Sequence, residues 1–293
     1  PKGADPAAVS AWELANRLSY FLWSSLPDEQ LRAAVEQGRF HRLPTGASPA
    51  DQAGQGGERQ ARFNAAELLS HTRRMLADSR VRRLATEFTC QWLDIHQFDQ
   101  NDQKSLTRFP EFSQLREEMY EEAIRFFEDM FRNNGSILDL LAADHMFVNE
   151  SLARHYGIEG VSGPQWQRVE DVGRQGRGGV LDMAAILAKQ SGASRTSPIL
   201  RGNWVSETLL GERLPKPPAN VPQLPESVPT GLTARQLIEQ HSSLPECAKC
   251  HARIDPYGFA LEQYDAIGRL RETKSDTKTQ LVDGKTIEGI EGL

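Results

Sequence analysis

A five-residue segment near the C-terminal end constrains this chain more than any other feature. It reads Cys247-Ala-Lys-Cys250-His251, the Cys-x-x-Cys-His pattern by which haem c is attached to protein. On a helical turn, residues three apart lie on the same side, so both thiols can reach one edge of a porphyrin. His251 follows directly and can present its imidazole to the iron. The pattern predicts one covalently attached haem c, held by Cys247 and Cys250, with His251 as the proximal iron ligand.

Two other interpretations of these cysteines are weaker. A thioredoxin-like dithiol pair needs a flanking βαβ pattern, and the sequence around the motif does not have one. A zinc site needs about four ligands, and Cys90 is the one remaining cysteine that can join the motif. Cys90 falls in a helical pattern, where a lone cysteine is usually packed. The haem interpretation is therefore favoured.

Most of the chain has the three- and four-residue apolar spacing of amphipathic helices, clearest over residues 112–133. Six prolines between residues 215 and 229 exclude a regular helix there and indicate an extended strap. We therefore predict a mainly α fold, a helical bundle followed by a Pro-rich strap and a small c-type cytochrome-like haem segment. The predicted domains are a helical domain, 1–160, and a haem-binding domain, 161–293, with the strap at 212–230.

Local signals add detail to this fold. Asp78, Asn149 and Thr233 are placed to cap helices, and residues 167–172 have the pattern of a short strand. Residues 44–58 are rich in Gly, Ala, Gln and Ser, which predicts a flexible loop. We also predict an apolar helix over residues 180–189. Residues 255–258 contain proline and glycine, which predicts a turn before a short apolar helix that ends at Gly268.

Bulk composition narrows the function classes. With 39% hydrophobic and 25% charged residues the chain is globular, and a net charge of −6 without basic runs disfavours nucleic-acid binding. No stretch approaches the ~20 apolar residues of a membrane span, so we expect no transmembrane segment in this chain. We expect both ends to be cut from a longer protein. An extracytoplasmic location, periplasmic or secreted, is then expected, with a signal peptide removed or lying upstream.

Five stretches carry a family resemblance: residues 12–28, 74–78, 147–157, 195–202 and 247–269. The most specific motif is Cys-x-x-Cys-His-x-x-Ile-Asp-Pro-x-Gly-Phe-Ala-Leu-Glu, from residue 247 to 262. The chain resembles the large secreted planctomycete-type cytochrome c proteins built of conserved domains of unknown function. The resemblance implies a mainly helical fold, a c-type haem and export from the cytoplasm. It also implies that a further C-terminal part is missing from this chain.

The sequence leaves the other haem contacts open. Candidates for the distal ligand are Met183, His241, His155 and Met146, and a five-coordinate iron is a further possibility. Arg195, Arg201 and Arg177 are candidates for pairing with haem propionates, because the guanidinium fork matches carboxylates. For each distal candidate the alternative is ordinary packing, and for each arginine it is a position at a helix end or on the surface. Asp255 either forms a turn or accepts a hydrogen bond from His251. The remaining pocket candidates are Pro256, Phe259 and Tyr264.

Three functions are compatible with these residues. The first is electron transfer outside the cytoplasm, with a redox protein or a small molecule as donor or acceptor. The second is a haem-dependent oxidase or peroxidase, which needs an open distal face with acid–base groups. The third is a structural or binding module with an accessory haem.

Overall fold

The computed structural model describes residues 9–40, 63–215, 224–225, 228–272 and 276–293. The fold is mainly α, as predicted. In chain order the helices are α1 (Ala11–Trp23), α2 (Glu29–Glu36), α3 (Ala65–Ala77), α4 (Arg82–Trp92), α5 (Phe98–Asn101), α6 (Phe112–Asn133), α7 (Asp139–Ala142), α8 (Glu150–Tyr156), α9 (Ala184–Lys189), α10 (Pro198–Trp204), α11 (Ala234–Ser242) and α12 (Pro245–Ala260). The predicted loop at 44–58, and residues 216–223 and 226–227 of the predicted strap, lie outside the described residues.

In the part of the chain that the structure describes, four short strands form two antiparallel pairs. Strand β1 (His145–Val148) pairs with β2 (Gln167–Glu170), and β3 (Lys278–Gln280) pairs with β4 (Thr286–Glu288). The register of the first pair places His145 opposite Glu170. The strand predicted at residues 167–172 is thus present as β2.

The chain divides into two compact units. One contains residues up to 87 together with 127–135, and the other contains 88–126 and 136–293. Two of these limits fall inside α4 and α6 and the third lies just after α6, so the division differs from the predicted boundary at residue 160, which stays a prediction.

The first unit has a core built around Trp23 and the apolar faces of α1, α2 and α3. The indole nitrogen of Trp23 donates to the carbonyl of Met75 at 2.9 Å, and the Arg80 guanidinium lies 3.5 Å from the centre of its ring. Asp28 caps α2 and receives two hydrogen bonds from Arg74, at 2.7 and 3.1 Å. Two of the stretches that carry the resemblance, 12–28 and 74–78, therefore build this core.

Helix α9 begins four residues later than predicted. Residues 180–183 are not helical, because Met183 has a ψ of 127° and the Asp182 carbonyl accepts from Arg177 at 2.9 Å instead of from a helical amide. The amide of Val180 donates to the carbonyl of Leu140 at 2.7 Å. Gly178, with a φ of +131°, approaches so closely that a Cβ there would lie 1.8 Å from the Ala143 carbonyl oxygen. The prediction of one helix over 180–189 was therefore wrong in its first four residues.

The motif helix α12 is longer than the sequence suggested. It runs unbroken through Asp255, Pro256 and Gly258, so the predicted turn and the separate helix after it were wrong. Pro256 lacks an amide proton, which deprives only the carbonyl of Ala252 of its helical donor, and Ala252 is exposed to water. Packing against α10 holds the rest of the helix in place.

The contact between α10 and α12 is made backbone to backbone. A Cβ on Gly258 would lie 1.9 Å from the carbonyl oxygen of Pro198, and one on Gly202 would lie 1.9 Å from that of Ile254. Only glycine permits such an approach. This crossing therefore fixes the position of the motif helix.

We expect Gly258→Ala to lower the free energy of unfolding by about 1–3 kcal/mol, because the added methyl group forces the two helices apart. Urea denaturation followed by circular dichroism measures this. Lys249→Ala, at an exposed position of the same helix, is the matched control and should leave stability unchanged. A Gly258→Ala chain as stable as the control would contradict the prediction.

Candidate functional site

The three motif side chains lie in the first two turns of α12. The helix begins with Pro245, whose missing amide proton is not needed in a first turn. Cys247 and His251 are buried and Cys250 is half-buried, and both cysteines are free thiols. Two thiols three residues apart and an adjacent imidazole are the donor set that haem c attachment requires. The residues present therefore fit that group.

His251 has a carboxylate partner one turn along the helix. Its Nδ1 lies 2.8 Å from Oδ1 of Asp255, which is buried. The hydrogen bond occupies Nδ1, so Nε2 is the nitrogen left for a metal. A carboxylate in this position fixes the tautomer and orientation of a metal-binding histidine and makes its ring more basic. Of the two predicted roles for Asp255, the turn is wrong because the residue is helical.

Helix α11 packs on α12 beside the motif. It begins with a capping box between Thr233 and Gln236. The ring of His241, in its last turn, has its centre 5.1 Å from that of His251, with the planes at 78°. Phe259, a predicted pocket residue, is buried with the Arg235 guanidinium 4.5 Å from its ring centre. The structure thus brings one of the predicted distal candidates, His241, next to the predicted proximal ligand.

The other distal candidates have different surroundings. Met183 and Met146 line a small cavity of about 10 Å³, enough for one water molecule, and no residue of α12 lines it. The Nε2 atom of His155 lies 2.9 Å from the carbonyl oxygen of Ile267. Burial lowers the pKa of His155 to about 4, so the ring is neutral at pH 7 and donates that bond.

Arg201 lies in the core of the second unit. Its guanidinium donates to the carbonyl oxygens of Leu261, Tyr264 and Asp265 at 2.9, 3.0 and 2.5 Å, and lies 3.4 Å from a Glu262 carboxylate oxygen. Burial lowers its pKa to about 10, so it stays charged at neutral pH. Arg201 therefore ties down the segment that follows α12, and pairing with a propionate stays a prediction.

The remaining pocket candidates also contact the protein's own groups. Arg177 donates to the carbonyl oxygens of Asp182 and Gly268, and its guanidinium lies 4.1 and 4.9 Å from the ring centres of Tyr156 and Tyr264. The Tyr264 hydroxyl donates to the carbonyl oxygen of Gly176, and Arg195 donates to that of Pro225. Pro256 is buried within α12. Their predicted role toward a haem stays a prediction.

A buried acidic pair escaped the sequence interpretation. Glu122 and Asp182 are fully buried beside the cavity, and the Tyr156 hydroxyl donates to Glu122 at 2.5 Å. Burial raises the pKa of Glu122 to about 8 and that of Asp182 to about 7. A signal was present in the sequence, because Glu122 lies three residues after Met119 on the apolar face of α6.

Because of this buried acidic pair, we expect the free energy of unfolding to depend on pH. In the unfolded chain Glu122 ionises near its ordinary pKa of 4.5, whereas in the folded chain it keeps its proton up to about 8. The free energy of unfolding should therefore fall as pH rises from 5 to 8. The fall is at most about 1.4 kcal/mol for each pKa unit by which Glu122 differs between the folded and the unfolded chain. Thermal melting across this range should show a weaker fall in Glu122→Gln, whereas Glu117→Gln, exposed on the same helix, should match the wild type. Equal slopes in all three proteins would contradict the prediction.

The sulfur of Cys90 has a tyrosine hydroxyl as a neighbour. Its sulfur lies 3.0 Å from the hydroxyl oxygen of Tyr120, and the described residues contain no group of three or more His, Cys, Asp or Glu side chains arranged to hold a metal ion. The zinc interpretation, which needed Cys90, gains no support. Within the same residues, no helix is long and apolar enough to cross a membrane.

Comparison with known families assigns both halves of the chain. The family PSD4, protein of unknown function (DUF1592), matches residues 9–158, and PSCyt3, protein of unknown function (DUF1588), matches residues 177–274. Both are planctomycete cytochrome-c-associated domains, and the second match contains the Cys247–His251 motif. No curated protein and no solved structure shows significant similarity to the chain. Because the first match covers just over half of its residues, the chain belongs to the DUF1592 family, and it carries a DUF1588 domain after it.

Proposed function

We propose that this chain is a c-type cytochrome with one covalently attached haem that transfers electrons outside the cytoplasm. One observation carries the proposal: two free thiols and an imidazole lie together at the start of α12, and Asp255 holds the imidazole by its Nδ1 atom. The occurrence of DUF1588 and DUF1592 domains in cytochrome c-like proteins supports it.

Each residue has a distinct role in the proposal. Cys247 and Cys250 would form the two thioether bonds by adding their S–H groups across the two haem vinyl groups, and His251 would bind the iron through Nε2. When bound, the haem supplies a one-electron couple. Asp255 accepts a hydrogen bond from the Nδ1–H of His251, which keeps the ring in one orientation and favours the oxidised iron. The close crossing at Gly202 and Gly258 holds α12 rigid, so the motif side chains would stay in place when the iron gains or loses an electron.

The way haem c is attached and the charge of the chain indicate the compartment and the kind of partner. Covalent attachment of haem to Cys-x-x-Cys-His is performed on exported chains, and the family resemblance implies export as well. The net charge of −6 favours a redox partner with a basic docking face, because complementary charge steers association. A small-molecule donor or acceptor is the other possible partner.

A haem-dependent oxidase or peroxidase is the second candidate. The bond between Asp255 and His251 favours it too, because a more basic proximal ligand stabilises higher oxidation states of iron. Such an enzyme needs an open distal face, which an electron carrier does not.

One preparation tests the proposal. The chain is expressed with an export signal in a host that attaches haem c, then purified and denatured to show whether haem stays bound. Visible spectra of the oxidised and reduced protein are recorded with and without carbon monoxide or peroxide. We expect covalent haem and a low-spin spectrum that these ligands do not change. Protein without covalent haem would overturn the cytochrome proposal, and rapid binding of carbon monoxide and peroxide would favour the enzyme.

Asp255 should set the reduction potential. A hydrogen bond to a charged group contributes about 1.5–3 kcal/mol, so we expect Asp255→Asn to raise the potential by about 60–130 mV for a one-electron couple. The reason is that a neutral amide no longer favours the more positive, oxidised iron. Redox titration measures this, with Lys249→Gln, exposed on the same helix, as the control. Equal potentials in the two variants would remove Asp255 from this role.

A further inference from the structure

We infer that His241 is the second axial ligand of the haem iron, on the opposite side from His251. The inference rests on the proposed function and adds to it, because the proposal requires only the motif residues. It follows from the placement of two histidine rings on consecutive helices.

The distance between the rings suits a shared metal. Two imidazole nitrogens bound at about 2 Å to one metal atom place the ring centres roughly 6 Å apart. The centres of His241 and His251 are 5.1 Å apart, so the ring separation has to grow by about 1 Å, and the porphyrin has to enter between the rings, for both to bind one iron atom. The planes stand at 78°, an arrangement that two axial imidazoles can keep.

Helix α11 is anchored so that His241 faces α12. Ile238 is buried, and His241 lies three residues later on the same side of the helix. At the other end, Arg235 covers Phe259 and donates to the carbonyl oxygens of Asp276 and Lys278 at 3.1 and 2.9 Å. Because only Ser243 and Leu244 separate the two helices, His241 cannot move far from His251.

The rival donors are engaged elsewhere. His155 uses Nε2 in its bond to Ile267, and Met183 and Met146 face a cavity that α12 does not line. His145, which also lines that cavity, stacks on Phe126 with ring centres 5.6 Å apart. His241 is half-buried, and its ring centre lies 5.1 Å from that of the proximal histidine.

Two histidine ligands have a functional consequence. An iron with both axial positions filled by imidazole has no free site for oxygen, peroxide or carbon monoxide. It also keeps the same ligands in both oxidation states, which favours electron transfer. The inference therefore favours the electron carrier over the oxidase or peroxidase.

Three variants of the haem-loaded protein test the ligand. His241→Ala removes the imidazole, and His241→Met supplies a thioether in its place. Gln240→Ala changes the exposed neighbour on the same helix and is the matched control. Each is examined by visible spectroscopy, electron paramagnetic resonance, carbon monoxide binding and redox titration, after covalent haem has been quantified.

We expect wild type and Gln240→Ala to be low-spin and closed to carbon monoxide. His241→Ala should become high-spin and bind carbon monoxide, while His241→Met should have a higher potential than the wild type, because methionine ligation raises it. A low-spin His241→Ala protein that excludes carbon monoxide, or a wild type that binds it readily, overturns the inference and leaves the covalent haem intact. Wild-type protein without covalent haem instead overturns the proposed function.

Discussion

The double variant Cys247→Ala/Cys250→Ala should contain no covalently attached haem. The two thioether bonds are the only covalent links that the proposal allows, and both sulfur atoms are lost. His251 and its bond to Asp255 are unchanged, so any haem that still binds should be released on denaturation. Haem staining of a denaturing gel and the mass of the intact chain measure this directly. Single variants should keep one thioether bond and show partial loading.

Cys90→Ala is the matched control for this loss. Like Cys247, Cys90 is a buried cysteine in a helix, but its sulfur lies against the Tyr120 hydroxyl. Full haem content in Cys90→Ala, together with none in the double variant, assigns attachment to the motif. Covalent haem in the double variant would contradict the assignment. Circular dichroism of each protein separates failed attachment from failed folding.

Local sequence signals were sufficient where a helix is defined by its own residues. Helix α6 has the predicted limits, 112 and 133, because its apolar stripe is long and regular. Asn149 and Thr233 accept hydrogen bonds from the first turns of α8 and α11, as their side chains indicated. These features depend on neighbours within four residues, which the sequence displays.

The errors arose where distant segments decide the structure. Pro256 and Gly258 are ordinary signals of a turn, yet Gly258 is needed for close contact with Pro198, and the helix continues through both. Residues 180–183 have apolar helical spacing, but Val180 is bound to Leu140 and the backbone at Met183 is not helical. In each case tertiary packing outweighs local preference.

In the candidate site, too, some features could be predicted from the sequence and others depend on tertiary packing. The motif places two thiols and an imidazole by sequence alone, because they share one helical turn. The partnership of His241 with His251 depends on how α11 packs on α12, so the residues alone left four distal candidates without a reason to choose. The role of Arg201 could not be predicted for the same reason. The carbonyl oxygens to which it donates belong to residues 261–265, about sixty positions away in the sequence.

Arg201→Met should be the most damaging single substitution outside the motif. Methionine fills a similar space but donates nothing, which leaves the carbonyl oxygens of Leu261, Tyr264 and Asp265 without that donor in the core. Glu262 loses its buried positive neighbour, although it keeps a hydrogen bond from Thr196 at 2.7 Å. Hydrogen bonds from a charged group contribute about 1.5–3 kcal/mol each, so losing several of them should lower the free energy of unfolding by about 3–5 kcal/mol.

Urea denaturation of the purified chain should show this loss for Arg201→Met, and a smaller one for Arg201→Lys, which keeps the charge but not the planar set of donors. Arg213→Met, at an exposed arginine, is the matched control and should stay within about 0.5 kcal/mol of the wild type. Because residues 261–265 directly follow α12, haem loading should fall in the same order as stability. An Arg201→Met chain as stable as the control would show that Arg201 does not hold the segment behind the motif helix.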